Sequence, residues 1–186
     1  EVLFEGSDED VYKPLEKDNI DSGVYKLIED IVPEKFAFLF VGLWGKGSYG
    51  EDRKDVSKLI KIFYESFANK LPNVYLLHGE FTDSEMNSLY NHPKIKCMVS
   101  ITHGEGYGRP LQEATMTGLP VLASEWSGQL DFLDNEKSTL IRGELDTVPE
   151  SQHWENIIIP QSKWFVASED EVRKGFQFIR FDVNAV

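Results

Sequence analysis

A glycine-rich loop at residues 103–108 contains the residues of this chain that are best suited to chemistry. It follows an apolar run, and Pro110 then opens a predicted helix over residues 110–117, because proline suits the first helical position. Glycines at the end of a strand let backbone N–H groups turn toward a ligand, and the start of a helix attracts phosphate. The pattern therefore predicts a phosphate site at Gly104, Gly106 and Gly108.

Two glutamates frame this loop. Glu105 lies within the loop, and Glu113 follows eight positions later, inside the predicted helix. Carboxylates repel an anionic phosphate, so they are better explained as acceptors for hydroxyl groups, such as those of ribose and other sugars. A phosphate site beside two acceptors for hydroxyl groups indicates a nucleotide sugar as the ligand.

Strands and helices alternate along the chain and would position this loop. Apolar runs predict strands at residues 36–41, 74–77, 95–101, 119–123 and 138–141. Apolar periodicity and a capping-box pair, Thr82 with Glu85, predict helices at residues 24–31, 56–67, 83–90, 110–117, 128–134 and 168–181. This alternation predicts an α/β fold, a Rossmann-like doubly wound parallel sheet, whose ligands bind at the carboxyl ends of the strands.

Two other glycine-loop motifs fit less well. A dinucleotide-binding fingerprint needs its third glycine where this chain has Arg109, and it normally follows the first strand of the domain. The earlier loop at residues 42–50 is not a Walker A loop, because its glycines and lysine lack the required spacing. That earlier loop is either a plain connection or a second phosphate-binding segment, and the sequence leaves both open.

These segments together resemble a known family. The stretch from His103 to Glu113 looks like the Glu-x7-Glu motif of retaining glycosyltransferases with the two-domain GT-B fold, the group 1 or family 4-like enzymes. Residues 38–44 and 53–60 are similar to the first strand, phosphate loop and following helix of these enzymes. Residues 4–14 are similar to their lead into the C-terminal domain. The resemblance covers roughly residues 1–145 and implies the donor-binding C-terminal half of a GT-B fold.

The resemblance also implies a role for each candidate site residue. Glu105 would be catalytic, facing hydroxyls of the transferred sugar near the reacting carbon, where a carboxylate stabilises developing positive charge. Glu113 would bind the ribose hydroxyls, and Lys54 would bind the donor diphosphate. Phe81 would contact the base, and His103 would orient the loop. Further substrate contacts are implied for Gly104, Gly106, Tyr107, Gly108, Arg109 and Leu111.

One position departs from the family pattern. Members usually place an arginine directly after the glycine of the first strand, where this chain has Leu43. Lys46, Arg53 and Arg109 are all candidates to supply the missing charge, and the sequence does not choose among them. The departure keeps a second function open, that of a non-catalytic nucleotide- or sugar-binding module with the same fold.

Composition excludes some classes of function. The chain has 186 residues with 32 acidic against 19 basic side chains, so it lacks the basic face that nucleic-acid binding requires. No apolar run approaches the ~18 residues of a membrane span. The single cysteine, Cys97, suits a reducing compartment. We expect a cytoplasmic protein, peripheral at a membrane if its acceptor is a lipid.

We divide the chain into a lead-in segment at 1–35, a nucleotide-sugar-binding domain at 36–150 and a C-terminal extension at 151–186. Trp154 and Trp164 are expected to pack within that extension, whose helix returns to the domain. The resemblance implies no metal or other cofactor, with a UDP-, GDP- or ADP-sugar as the donor substrate. It also implies that the acceptor and a catalytic histidine come from a preceding N-terminal GT-B domain. We therefore expect these 186 residues alone to bind donor without transferring sugar.

Overall fold

The structure is a computed structural model that describes residues 7–70, 72–133 and 136–182. The first elements are α1 (Ser22–Ile31), β1 (Ala37–Leu39), α2 (Val56–Ser66), α3 (Asp83–Tyr90) and β2 (Ile95–Ser100). They are followed by α4 (Arg109–Met116), β3 (Val121–Ser124), α5 (Leu130–Leu133), β4 (Ser138–Ile141), β5 (Gly143–Thr147), β6 (Lys163–Ala167) and α6 (Glu169–Asp182).

A parallel sheet forms the centre of the fold, with the strands in the spatial order β1-β2-β3-β4. All four residues of β3 are buried, and five of the six residues of β2 are buried. Parallel strands that are covered on both faces form continuous apolar runs, which is why the sequence predicted them well. The predicted α/β fold, with a parallel sheet and helices on both faces, is confirmed.

Each face of the sheet has its own apolar core. On one face, α2 and α6 pack through Leu59, Ile62 and Phe176 against sheet residues that include Leu122. On the other face, α1, α3 and α4 provide buried residues such as Ile28, Leu89 and Leu111. The α6 helix lies close to the sheet, because a Cβ atom at Gly175 would stand 2.6 Å from a Leu122 methyl group.

Local sequence signals set several helix bounds as predicted. Glu85 N–H donates to the Thr82 hydroxyl, and the Glu85 carboxylate accepts from Thr82 N–H at 2.7 Å, so the capping box begins α3. Pro110 lies in the first turn of α4. The predictions over residues 4–14 and 128–134 extend past what the structure describes, since residues 4–6 and 134 lie outside the described residues.

The strand predicted at residues 74–77 is not formed. Residues 72–78 are extended, but they pair with no strand among the described residues, and Leu76 is 80% exposed. A cavity of about 910 Å³ is lined on one side by β1 and on another by this segment. A short apolar run becomes a strand only where a neighbour accepts its backbone hydrogen bonds, and here the cavity separates the segment from β1.

Strands β5 and β6 form a separate antiparallel hairpin that contacts the glycine loop. Phe165 N–H in β6 donates to the His103 carbonyl at 3.1 Å, and the Trp164 ring stacks on the His103 ring at 3.8 Å. Trp154 does not pack in this way: it is 64% exposed, so that prediction is wrong. Its backbone pairs with Ile158 in a local turn.

Candidate functional site

Two cations bind Glu105 at the carboxyl ends of β1 and β2. The Lys54 ammonium donates to one carboxylate oxygen of Glu105, and Arg53 donates to the other at 3.1 Å. Arg53 also donates to the Gly104 carbonyl at 2.8 Å. Because β1 and β2 are adjacent and parallel, the segments that follow them meet at one edge of the sheet. The structure therefore brings the neighbouring residues Arg53 and Lys54 into contact with Glu105, which lies 52 and 51 positions further along the chain.

The electrostatics of this cluster favour an anion. Burial acts to raise the pKa of Glu105, but hydrogen bonds and charge from Lys54 and Arg53 outweigh it, and the pKa is lowered. Glu105 is therefore an ionised carboxylate near neutral pH, with two cations around it. The surplus positive charge lies close to the glycine loop, where it would attract phosphate oxygens.

Several backbone N–H groups of the loop are available to a ligand. Those of Glu105, Gly106 and Tyr107 donate to no acceptor among the residues that the structure describes. The Gly104 N–H is used, because it donates to the Thr102 hydroxyl. Gly108 adopts a left-handed φ of 93° and caps the start of α4. Within the described ranges, free amides therefore lie beside two cations just before α4, and phosphate binding by this group stays a prediction.

Glu113 lies in a different, more enclosed environment. It is 4% exposed, and its carboxylate accepts from the Tyr90 hydroxyl at 3.0 Å and from Arg109 Nε at 2.9 Å. Burial, together with the charge of Glu113, raises the pKa of Tyr90, so that hydroxyl remains a donor. Among the described residues, no hydrogen bond or ion pair links Glu113 to Glu105. A ribose at Glu113 would have to share the carboxylate with Tyr90 and Arg109.

Comparison with known proteins decides the family. A sequence profile described as Glycosyl transferases group 1 matches residues 22–158 of the 186. The chain belongs to this glycosyltransferase family. No curated protein matches the chain. The matched range includes the whole parallel sheet and every candidate site residue.

In this glycosyltransferase domain, Leu43 stands where the family resemblance places an arginine, and the three basic candidates lie in different surroundings. The Leu43 side chain is 82% exposed. Of the three candidates, Arg53 contacts Glu105 together with Lys54, and Arg109 pairs with Glu113. Lys46 is exposed, and among the described residues only its carbonyl has a partner, the amide of Gln152. Arg53 is thus the candidate that contacts the Glu105 carboxylate together with Lys54, and its role toward phosphate stays a prediction.

The remaining predicted contacts are less direct. Leu111 is buried in the core beneath α4, and its N–H donates to the Gly108 carbonyl at 2.9 Å. The Tyr107 ring packs 5.2 Å from the Phe132 ring. Phe81 is half-buried and lines the large cavity beside β1. Leu111 and Phe81 thus lie in the core and at the large cavity, and the substrate contacts expected of them stay predictions.

Sequence reasoning missed the residues that hold the Glu105 backbone in place. The Ser127 hydroxyl and the Gly128 N–H both donate to the Glu105 carbonyl, at 2.7 and 3.2 Å. On the other side, the Thr102 hydroxyl donates to the Arg53 carbonyl at 3.1 Å. The sequence signal for this role was the pair Ser127-Gly128, shortly after a buried strand. The pair resembled the glycine turn of the family, but the resemblance did not indicate that it would contact Glu105.

We expect Gly128→Ala to destabilise the protein by about 1–3 kcal/mol, the usual cost of forcing an extra carbon into a packed position. A Cβ atom there would stand 2.1 Å from the Gly106 carbonyl oxygen, so the Glu105 loop would have to move. Gly106→Ala is the matched control, because a Cβ at Gly106 has no atom within 4 Å. Thermal unfolding of both variants tests this, and equal melting temperatures would contradict it.

Two further observations bear on reactivity and location. Cys97 is buried, and burial raises the pKa of its thiol, so it is a core residue rather than a nucleophile. None of the helices in the described part of the chain is long and apolar enough to span a membrane.

Proposed function

We propose that this glycosyltransferase domain binds a nucleotide-activated sugar through its diphosphate. The observation that carries the proposal is the pair Lys54 and Arg53 on Glu105, beside three loop N–H groups that have no acceptor in the part of the chain that the structure describes. Phosphate oxygens would accept from both cations and from these amides. The diphosphate would then replace Glu105 as the partner of Lys54, and the carboxylate would be released toward the sugar.

Released in this way, Glu105 would accept hydrogen bonds from hydroxyls of the transferred sugar. Its carboxylate would also stabilise positive charge at the anomeric carbon of that sugar. We propose transfer with retention of configuration. The bond from the anomeric carbon to the diphosphate oxygen breaks, and a bond to the acceptor oxygen forms on the same face. The acceptor proton passes to the departing diphosphate. The cations on this chain stabilise the leaving group, so the proposal requires no metal or other cofactor.

We propose that residues 36–150 bind the donor and that a second GT-B domain binds the acceptor. Transfer needs donor and acceptor in a closed, water-poor cleft. The 186 residues alone are therefore expected to bind donor and not to catalyse transfer. A buried, unpaired cysteine fits the reducing, cytoplasmic compartment that we propose.

A second candidate, a binding module without catalysis, is favoured by one observation. Leu43 stands exposed where the family usually has an arginine, so one phosphate contact of the family is absent. Both candidates require diphosphate binding, and only the first requires transfer. Assaying the chain together with a GT-B N-terminal domain from the same genome distinguishes them: transfer supports the enzyme, and donor binding without transfer supports the module.

Calorimetric titration tests donor binding. We expect at least one of UDP, GDP and ADP to bind the chain with a dissociation constant of about 10 µM to 1 mM. The matching nucleoside should bind much more weakly, because it lacks the phosphates that Lys54 and Arg53 would contact. If none of the three diphosphates gives heat or a thermal shift, the proposed function is wrong.

A further inference from the structure

A second cavity, of about 250 Å³, lies among the start of α2, His103 and the β5–β6 hairpin. The proposed donor contacts at Lys54, Arg53 and the loop amides do not use it. Its lining includes Asp55, Lys58, His103, Trp164 and Tyr49. Tyr49 is 54% exposed, so the cavity is accessible from solvent. Its volume is many times the ~10–15 Å³ that one water molecule needs.

Asp55 lines this cavity, and its carboxylate does not cap α2. An aspartate at this position usually accepts a backbone N–H of the first helical turn. Here the Asp52 carboxylate accepts from Val56 N–H at 3.2 Å, and Asp55 makes no such bond. Asp55 is fully buried, and neither of its carboxylate oxygens accepts a hydrogen bond from any described residue. A buried carboxylate without a donor is costly: burial raises the pKa of Asp55 to about 7, and a ligand that donates to the carboxylate would offset that cost.

His103 presents a second acceptor to the same space. Its Nδ1 lies 2.5 Å from the Phe165 carbonyl, and a carbonyl only accepts, so Nδ1 carries the hydrogen. Burial lowers the pKa of His103, although the carbonyls of Phe165 and Gly50 oppose the effect, so the ring is neutral. The lone pair of Nε2 therefore faces the Asp55 carboxylate at 3.8 Å, too far for a direct bond. When Asp55 is ionised, these two facing acceptors are satisfied together by a group that donates to both.

The other walls determine what kind of donor fits. The Lys58 ammonium lies 3.9 Å from the Asp55 carboxylate and donates to the Ala167 carbonyl at 2.9 Å, which leaves hydrogens for a further acceptor. Asp146 and Glu169 also line the cavity, so their carboxylates can accept from a ligand that carries several donors. No cluster of three or more His, Cys, Asp or Glu in the described ranges could hold a metal ion. A neutral hydroxyl both donates and accepts, so it satisfies Asp55, His103 and Lys58 together. Trp164 adds an apolar ring to the wall.

A pyranose sugar carries neighbouring hydroxyls on a ring whose C–H groups can pack against an aromatic side chain. We propose that this cavity binds a neutral hexose unit, with neighbouring hydroxyls donating to the Asp55 carboxylate and to His103 Nε2. The site is separate from the proposed donor contacts, so sugar and nucleoside diphosphate bind at the same time. It would let the domain hold a sugar that is not the one being transferred.

Saturation-transfer NMR on the 186-residue chain tests this. The probes are the methyl glycosides of glucose, galactose, mannose and N-acetylglucosamine, each with and without excess UDP, GDP and ADP. We expect at least one glycoside to bind with a dissociation constant of about 1–10 mM, and its signal to persist with the nucleotides present. No binding by any glycoside at about 10 mM would overturn the proposal. Loss of the signal on adding nucleotide would also overturn it, because the sugar would then occupy the donor site.

Asp55→Asn is the decisive variant. Asparagine tolerates the left-handed φ of 51° at this position, and its amide can donate to His103 Nε2, so the melting temperature should not fall. Glycoside affinity should drop by about tenfold or more, because a hydrogen bond to a charged group is lost. Asp30→Asn, at an exposed helix position, is the matched control and should bind normally. Trp164→Leu should also weaken binding. Wild-type affinity in both cavity variants would overturn the proposal.

Discussion

Replacing Lys54 with methionine is expected to weaken nucleoside diphosphate binding by about 10- to 100-fold, the worth of a hydrogen bond to a charged group. Methionine keeps much of the side-chain length but removes the ammonium. The Lys54 side chain is only 13% exposed, so water screens its charge poorly. The variant also leaves Glu105 with Arg53 as its single cation among the described residues, and the less compensated carboxylate would repel the phosphates.

Lys61→Met is the matched control for this experiment. Lys61 lies on α2, and its ammonium pairs with Glu65 and Glu169 on the surface, away from the Glu105 cluster. Calorimetric titration of both variants with the tightest of the three diphosphates should show a loss for Lys54→Met only. Equal affinities of the two variants would mean that Lys54 does not contact the diphosphate, and the donor site would have to be sought elsewhere.

Glu113→Ala is expected to lower the free energy of unfolding by about 3 kcal/mol, the upper end of the cost of leaving a buried donor, here the Tyr90 hydroxyl, without its charged acceptor. For a chain of this length, that loss corresponds to a fall in Tm of roughly 6–12 °C. The Tyr90 hydroxyl is buried and would lose its acceptor, and Arg109 would lose its ion pair. Thermal and denaturant unfolding measure the loss.

Two controls separate the causes of this loss. Glu171→Ala removes a surface pair with Lys174, and such pairs contribute less than about 1 kcal/mol, so its Tm should barely change. Adding Tyr90→Phe to Glu113→Ala should cost little further stability, because the two residues share one hydrogen bond. Full additivity of the two changes would show that the Tyr90 to Glu113 bond contributes nothing.

The proposed ribose contact of Glu113 has its own measurement. If Glu113 binds the ribose, the wild-type chain should prefer a ribose diphosphate over its 2′,3′-dideoxy analogue, and Glu113→Ala should abolish that preference. A wild-type chain that binds both analogues equally would leave Glu113 with only its structural role toward Tyr90 and Arg109.

Some predictions failed for a shared physical reason. The run at residues 74–77 and the ring of Trp154 are apolar, and both were expected to be buried, yet Leu76 and Trp154 are largely exposed. An apolar side chain indicates that its burial would be favourable, but it does not indicate which surface of the protein would cover it. Strand formation also needs a neighbouring backbone, and residues 72–78 do not reach β1.

The sequence by itself determined the alternating strands and helices, the glycine loop at the start of α4, and the family. These features depend on local periodicity, capping and spacing, which a linear chain displays directly. Only the tertiary structure decided that Arg53 and Lys54 meet Glu105, that Tyr90 and Arg109 enclose Glu113, and that Asp55 faces His103. Those contacts join residues from separate loops and helices. Their geometry follows from which strands are adjacent in the sheet and from how the helices pack on it. A local sequence pattern indicates neither the strand order nor the helix packing.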